Sequence, residues 1–132
     1  MRLLAPRLSR LELQIMDVLW SRDAASIREI VDALPGKKRP AYTTIQTTVY
    51  RMEGKHALRR VGRVGNFDVF TAVVSRENAQ RRLIDELLDL LGGSPQPIVA
   101  HLIDAGKLSA KDIEEAEKAL QQLSRKEHHR ES

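Results

Sequence analysis

The sequence predicts a mainly α-helical chain with one small β-hairpin, on three observations. Apolar residues recur at the three- and four-residue spacing of amphipathic helices through most of the 132 residues. Two runs rich in β-branched and aromatic residues interrupt this spacing once, and they flank Gly65-Asn66, a common hairpin turn. Helical spacing then returns from residue 75 onward. We therefore expect an N-terminal domain over residues 1–74, a helical domain over residues 75–123 and a polar tail over residues 124–132.

The composition limits the kind of protein this is. The chain is 42% hydrophobic and 30% charged, so it can bury an aliphatic core and stay soluble. Cysteine is absent, which excludes disulfides, thiolate metal sites and cysteine nucleophiles. No apolar run approaches the roughly 20 residues of a membrane-spanning helix, and residues 1–10 lack the long apolar stretch of a signal peptide. We expect a cytoplasmic protein that contacts no membrane.

Positive charge is concentrated in the first half of the chain. The net charge is +4, but residues 1–74 hold 13 Lys or Arg against 7 Asp or Glu, whereas residues 75–132 hold 9 against 11. Residues 37–63 alone contain eight basic residues and one acid. This pattern favours a polyanion-binding module joined to a second segment. A solvated basic face without a ligand would produce the same imbalance.

The first two helices begin at the same sequence signal. Ser9 and Glu12 have the spacing at which a serine and a glutamate cap a helix N-terminus reciprocally. The pair Ser26 and Glu29 repeats this spacing. Apolar residues follow each pair at helical spacing, and Pro35-Gly36 ends the second helix. We expect two short amphipathic helices.

A third helix is predicted from residue 42 to about residue 54. Ile45, Val49 and Met52 share one face, which we expect to be buried. The opposite face carries hydroxyls, an amide, a phenol and a guanidinium, with no carboxylate in its first two turns. Threonine is slightly disfavoured in helices, so four threonines among residues 43–48 indicate another requirement. Such a face suits a recognition helix that enters the major groove of DNA; an ordinary polar surface helix is the alternative.

The segment from Leu58 to Val74 contains the predicted hairpin. Its first strand carries Arg59, Arg60 and Arg63. An arginine beside the turn could reach a phosphate or the minor groove, as wings commonly do. An edge hairpin kept soluble by its arginines is the alternative. Three helices followed by a basic hairpin are the element order of a winged helix-turn-helix domain.

Individual side chains suit particular contacts with DNA. Gln46 can form paired hydrogen bonds with adenine, and the methyl group of Thr47 can pack on that of thymine. Arg51 and Lys55, near the end of the third helix, are expected to hold phosphates. Arg63 on the hairpin is expected to do the same. A polar third helix followed by a basic hairpin is stronger evidence for a DNA-binding domain than either feature is alone.

The C-terminal helices are leucine-rich and too few to bury much surface alone. The first is predicted from Ser75 to Gly92-Gly93. The second begins at Ser94-Pro95 and ends at Gly106, and the third covers residues 109–123. We expect a helical dimerisation domain that interlocks with a second copy; folding back onto the winged domain is the alternative. The predicted dimer contacts are Leu83, Leu87, Leu88, Leu91, Ile98, Leu102, Ile113 and Leu120.

The sequence offers little for catalysis. The four histidines do not combine with carboxylates at a metal-ligand spacing. A Gly-rich phosphate loop and a nucleophile elbow are both absent from the sequence. We therefore expect no enzymatic activity, no bound metal and no cofactor.

Three stretches of the sequence carry a family resemblance: LSRLELQIMDVLW (8–20), AYTTIQTTVYRM (41–52) and GSPQPIVAHLIDAGKLSAKDIEEAEKAL (93–120). They resemble the penicillinase repressor family, whose relatives include the methicillin-resistance repressor and copper-responsive repressors. The resemblance extends from about Leu8 to Leu123. It implies a winged-helix domain, a helical dimerisation domain and repression of transcription at palindromic operators.

The resemblance also assigns positions. The family's DNA-reading helix falls on Thr43, Thr44, Gln46, Thr47 and Arg51, and its wing falls on the hairpin around Gly65 and Asn66. The complete set of predicted DNA contacts is Arg39, Tyr42, Thr43, Thr44, Gln46, Thr47, Arg51, Lys55, Arg63 and Asn66.

Two departures from the family pattern concern the DNA-binding half. Family members usually have glycine at the end of the recognition helix, where this chain has His56, with Gly54 two residues earlier. A left-handed cap suits glycine best, so we expect this helix end to be shifted or strained. The wing tip usually contains Gly-Arg, where this chain has Gly65-Asn66. We expect Arg63 to take over the phosphate contact.

A third departure concerns the release of repression. The β-lactam-responsive members are cut between an Asn and a Phe that align with His101 and Leu102. The resemblance therefore implies either cleavage by a sensor protease with an altered sequence preference or another signal in its place. The copper-responsive members need C-terminal cysteines, and this chain has none.

The resulting hypothesis is a homodimeric repressor that binds a palindromic operator in double-stranded DNA. The alternative is a winged-helix protein that docks onto another protein through its basic face.

Overall fold

A computed structural model describes residues 5–37 and 39–131 of the chain. Its elements, in chain order, are α1 (Arg10–Ser21), β1 (Ala25–Ser26), α2 (Ile27–Ala33), α3 (Tyr42–Gly54), β2 (Leu58–Val64), β3 (Phe67–Ala72), α4 (Arg76–Leu90), α5 (Gln96–Asp104) and α6 (Ala110–Glu131). The predicted mainly helical fold with one small hairpin is confirmed. In the part of the chain so described, no helix combines the length and the apolar character needed to cross a membrane.

The two predicted capping boxes are present. The Ser9 hydroxyl accepts from the Glu12 N–H at 3.2 Å, and the Glu12 carboxylate accepts from the Ser9 N–H at 2.8 Å. Ser26 and Glu29 form the same pair of bonds, at 3.2 and 3.0 Å. These bonds satisfy backbone N–H groups that have no partner within the helix, so both helices begin where the serines place them.

A short strand between α1 and α2 was not predicted from the sequence. β1 contains two residues and pairs antiparallel with β3, with Ala25 opposite Phe70 and Ser26 opposite Val69. The sheet order is therefore β1-β3-β2. The Thr71 hydroxyl donates to the Asp23 carbonyl at 2.6 Å and fastens the same junction. Two residues are too few to show the alternation that identifies a strand in sequence.

The hairpin has the predicted turn and one irregularity. Gly65, the first turn residue, has φ 62°, a left-handed conformation that glycine adopts at little cost. The pairing slips between Arg60, opposite Phe70, and Gly62, opposite Val69, so that Val61 is an extra residue in β2. A bulge of this kind bends the strand and increases its twist. The wing therefore bends at the middle of β2.

The core lies between α1, α2, α3 and the sheet. It is aliphatic apart from Phe70, which is fully buried in the central strand. The predicted inner face of α3 is confirmed, because Ile45, Val49 and Met52 are all 0% exposed. Trp20 closes one side of the core, where its indole N–H donates to the Val74 carbonyl at 2.9 Å.

The chain divides into two compact units, Met1–Leu87 and Leu88–Ser132. The two units meet inside α4, between Leu87 and Leu88, whereas the predicted boundary lies between residues 74 and 75. The start of α4 belongs with the first unit because Ala79 is buried in the core. Glu86 lies 3.4 Å from Arg7 and 3.3 Å from Arg82, in two ion pairs that add to this attachment.

The second unit departs from prediction at two helix ends. α5 begins at Gln96, one residue later than predicted, and Pro95, predicted as the first helical residue, occupies the cap position without a side-chain capping bond. α6 continues to Glu131 and so includes the segment predicted as a tail after Leu123. The sequence has neither glycine nor proline after Gly106, and its Lys, Arg, Glu and Gln residues favour helix. The tail is polar, as predicted, but it is helical.

The second unit buries few of its apolar side chains. None of the described residues of α5 and α6 is buried, and Leu120 is 64% exposed. Among the predicted dimer contacts, Leu88, Ile98 and Leu102 are half-buried. The exposed members are Leu83, Leu87, Leu91, Ile113 and Leu120.

Candidate nucleic-acid interface

The outer side of α3 is a polar surface with a shallow depression. Thr43, Thr44, Thr47 and Arg51 are exposed there, and Thr48 forms the floor. The Thr47 hydroxyl donates to the Thr43 carbonyl at 2.9 Å, and Thr48 donates to Thr44 at 2.8 Å. A hydroxyl whose proton is committed within the helix is left as an acceptor. This surface can therefore accept from the amino groups of bases.

A second recess lies between α3 and the wing tip. It is lined by Ile27, Tyr42, Gln46, Tyr50, Asn66, Phe67 and Asp68. Within it, the side-chain amide nitrogen of Gln46 donates to the Tyr50 hydroxyl at 3.1 Å. The fold therefore brings Tyr42 and Gln46, two predicted DNA contacts on α3, together with Asn66, a predicted contact on the wing.

Arg60 fastens the wing to α3. Its guanidinium lies 2.9 Å from the Glu53 carboxylate on α3 and 2.7 Å from the Asp68 carboxylate on β3. The hydrogen bond to Glu53 raises the pKa of Arg60, and the charges of Glu53 and Asp68 add to this against a smaller effect of burial. The same guanidinium lies over the Tyr50 ring, 5.1 Å from its centroid. Asp68, which lines the recess, and Glu53 are therefore both paired with arginine.

The wing tip combines one cation with apolar side chains. Arg63 is 69% exposed, and its Nε lies 3.4 Å from the Asp68 carboxylate. Val64 and Phe67 face each other across the turn and are 71% and 58% exposed. Asn66 lies at the exposed tip. Arg63 is therefore placed where the sequence predicted a phosphate contact.

Lys55, which was predicted to hold a phosphate, has other partners in the structure. Its ammonium lies 2.6 Å from the carboxylate of Glu12, which is buried, and donates to the Arg7 carbonyl at 2.8 Å. Burial alone would raise the pKa of Glu12, but the hydrogen bonds from Lys55 and Ser9 lower it further than burial raises it. The ammonium therefore balances a buried charge, and a phosphate would have to compete with Glu12 for it, so Lys55 is a weaker candidate than Arg51 or Arg63.

One candidate residue was missed by the sequence analysis. The Arg28 guanidinium lies over the Tyr42 ring, 4.8 Å from its centroid, and so adds a cation from α2 to the start of α3. The helix before a recognition helix commonly crosses the DNA backbone. An exposed arginine in the first turn of the second helix was the available signal. Arg39 is exposed in the loop before α3, and its neighbour Lys38 lies outside the described residues.

Three helices, the third with an exposed polar face, and a basic hairpin beside it define a winged helix-turn-helix protein. The chain belongs to the penicillinase repressor family, whose family model matches residues 8–122. It is 24% identical over 120 residues to the penicillinase repressor of Staphylococcus aureus, covering 90% of this chain and 94% of the relative. It is 28% identical over 120 residues to the transcriptional regulator BlaI of Mycobacterium tuberculosis, covering 89% and 85%. Family membership makes it a relative of transcriptional repressors.

Proposed function

We propose that this protein is a transcriptional repressor that binds a palindromic operator in double-stranded DNA as a homodimer. The observation that carries the proposal is the exposed face of α3, which has no carboxylate in its first two turns and a cationic wing beside it. Its nearest acids, Glu53 and Asp68, are both paired with arginine. A phosphate backbone would meet a surface without unpaired negative charge at this position.

The proposed contacts fall into two groups. Gln46 and Thr47 read base edges in the major groove, because an amide can bond adenine bidentately and a threonine can contact a thymine methyl. Arg51 and Arg63 hold phosphates, which position the helix without reading sequence. Arg28 joins the second group. The remaining proposed contacts are Arg39, Tyr42, Thr43, Thr44 and Asn66.

The dimer is proposed from the apolar side chains that the single chain leaves exposed. Leu83 and Leu87 are 47% and 43% exposed, and Ile113 and Leu120 are 42% and 64% exposed. Exposed apolar side chains in this number are typical of a surface that a partner covers. A second copy would also place two recognition helices on one operator, and the linkage raises the affinity far above that of one half.

We propose proteolysis at the His101–Leu102 bond as the route of release, by a sensor protease. Both residues lie inside α5, where the His101 carbonyl accepts from the Ala105 N–H at 2.8 Å. The protease would therefore need α5 to open locally before it could bind the bond. Cells exposed to a cell-wall antibiotic should accumulate a fragment that ends at His101. Derepression with the protein still at full length would exclude this route.

A second candidate function is docking onto another protein through the basic face. The apolar wing tip formed by Val64 and Phe67 favours this alternative, because proteins recognise exposed apolar side chains. Titration with salt separates the two. Operator binding should weaken steeply with salt, with a log–log slope of about −0.9 for each phosphate neutralised. Docking of a protein onto the basic face releases no condensed counterions, so its affinity should fall less steeply with salt.

The test of the main proposal is selection of binding sites from random duplex DNA, followed by footprinting. We expect two half-sites related by a dyad and spaced by whole turns of about 10 base pairs. A protected site without a dyad, or the absence of any selected site, would overturn the proposal. We propose no catalytic activity, no cofactor and a cytoplasmic location, supported by relatives that are named as a repressor and a transcriptional regulator.

A further inference from the structure

We propose that Tyr50 is a positioning residue that orients the side-chain amide of Gln46 for base recognition. The inference rests on the proposed DNA-binding function. Tyr50 follows Gln46 by one helical turn, the spacing at which two side chains on a helix meet. The Gln46 amide nitrogen donates to the Tyr50 hydroxyl at 3.1 Å, and both side chains line the recess beside the wing.

The hydrogen bond leaves the Gln46 amide with the groups that adenine recognition needs. A primary amide has two N–H donors and one carbonyl acceptor. One N–H is used by Tyr50, so one N–H and the carbonyl stay available. Adenine presents N7 as an acceptor and its N6 amino group as a donor in the major groove, which match this remaining pair.

Tyr50 itself is held from the other side. Arg60 lies over its ring at 5.1 Å and is in turn anchored by Glu53 at 2.9 Å and by Asp68 at 2.7 Å. Because Glu53 belongs to α3 and Asp68 to β3, the ring is fixed relative to both the helix and the wing. A side chain that is already ordered loses less conformational freedom on binding. The Gln46 side chain would therefore lose less conformational entropy when it binds the base.

The experiment compares Tyr50→Phe with wild type in binding to the selected operator and to operators altered at each base pair. The variant keeps the ring and its contact with Arg60 but removes the hydroxyl. We expect the preference at the single position per half-site that Gln46 reads to fall by about three- to tenfold, the size of one net hydrogen bond. The salt slope should stay unchanged, and circular dichroism should confirm that the variant is folded.

Two further variants make the result specific. Ser21→Ala removes an exposed hydroxyl that donates to the Asp17 carbonyl within α1, and it should leave the affinity and the preference at that position as in wild type. Gln46→Ala should abolish that preference, and adding Tyr50→Phe to it should cause no further loss. Such non-additivity is expected when one residue acts through another.

Three outcomes would overturn the inference. An unchanged preference in Tyr50→Phe means that the hydroxyl does not orient the amide. Uniform weakening on all sequences with a shallower salt slope means that the hydroxyl contacts a phosphate directly. Loss of preference that persists in the absence of Gln46 means that Tyr50 contacts a base itself. If wild type selects no DNA site at all, the proposed function fails, and this result is distinct from the other three.

Discussion

Replacing His56 with glycine tests the backbone strain at the end of α3. His56 has φ 63°, whereas every other residue with a left-handed φ in the described chain is glycine. The Ala57 N–H donates to the Met52 carbonyl at 2.9 Å, and the His56 N–H donates to Glu53 at 3.1 Å. These two bonds form a Schellman motif, which requires this conformation at His56. The strain is therefore imposed by the way in which the helix ends.

The expected gain in the free energy of unfolding is the difference between two opposing effects. A left-handed conformation costs a residue with a Cβ atom about 1–2 kcal/mol relative to glycine. Glycine in turn loses about 0.4–1 kcal/mol through the greater freedom of the unfolded chain. We expect His56→Gly to raise the free energy of unfolding by roughly 0.5–1 kcal/mol, which corresponds to about 2–6 °C in Tm for a domain of this size.

Urea unfolding at matched protein concentration measures this gain, since a dimer's stability depends on concentration. His56→Ala is the control, because it removes the imidazole and keeps the Cβ atom. It should be close to wild type in stability. Equal stabilisation by alanine and glycine would assign the effect to the imidazole and refute the backbone explanation, as would any destabilisation by glycine.

Four other variants test separate parts of the structure. Gln46→Ala should reduce discrimination between bases at one position per half-site by roughly 1–3 kcal/mol. Arg63→Ala should weaken binding to all sequences about equally and lower the salt slope by about 1. Binding titrations against altered operators distinguish the two patterns. Leu83→Asp with Leu87→Asp should give monomers with greatly weakened operator binding, and sedimentation of wild type as a monomer at micromolar concentration would contradict the dimer. Glu12→Gln should destabilise the protein at pH 7 by about 1.5 kcal/mol, because the Lys55 ammonium loses the negative charge that it pairs with. Since the pKa of Glu12 is lower in the folded state than its ordinary value of 4.5, the stabilisation by Glu12 is present above that value and is lost as pH falls through the folded pKa. The difference between wild type and variant in urea unfolding should therefore be full at pH 7 and should shrink as the pH falls below 4.5.

Features that depend on neighbouring residues in the chain were predictable. Ser9 and Ser26 fixed two helix starts because capping boxes operate within one turn. The buried and exposed faces of α3 followed from helical period alone. The helix end at His56 was expected to be shifted or strained only because of the family resemblance, in which glycine is usual there, and the left-handed φ of His56 confirms the strain.

Features that depend on residues far apart in the sequence were not predictable. β1 is extended because β3 lies beside it, and nothing within Ala25–Ser26 signals a strand. Lys55 was predicted to hold a phosphate, but its ammonium lies 2.6 Å from the carboxylate of Glu12, a residue 43 positions away in sequence. The links from Arg60 to α3 and β3 likewise depend on the packing of the wing.

Trp20 provides the protein with its own optical reporter. It is the sole tryptophan of the sequence, so emission excited at the red edge of its absorption arises from one place. Its indole N–H bonds the Val74 carbonyl at 2.9 Å, and the Arg76 guanidinium lies 5.5 Å from its ring centroid. Detachment of the beginning of α4 would expose the indole to water and move its emission to longer wavelength. The fluorescence of the unlabelled protein therefore follows that junction during every titration, without a probe having to be introduced.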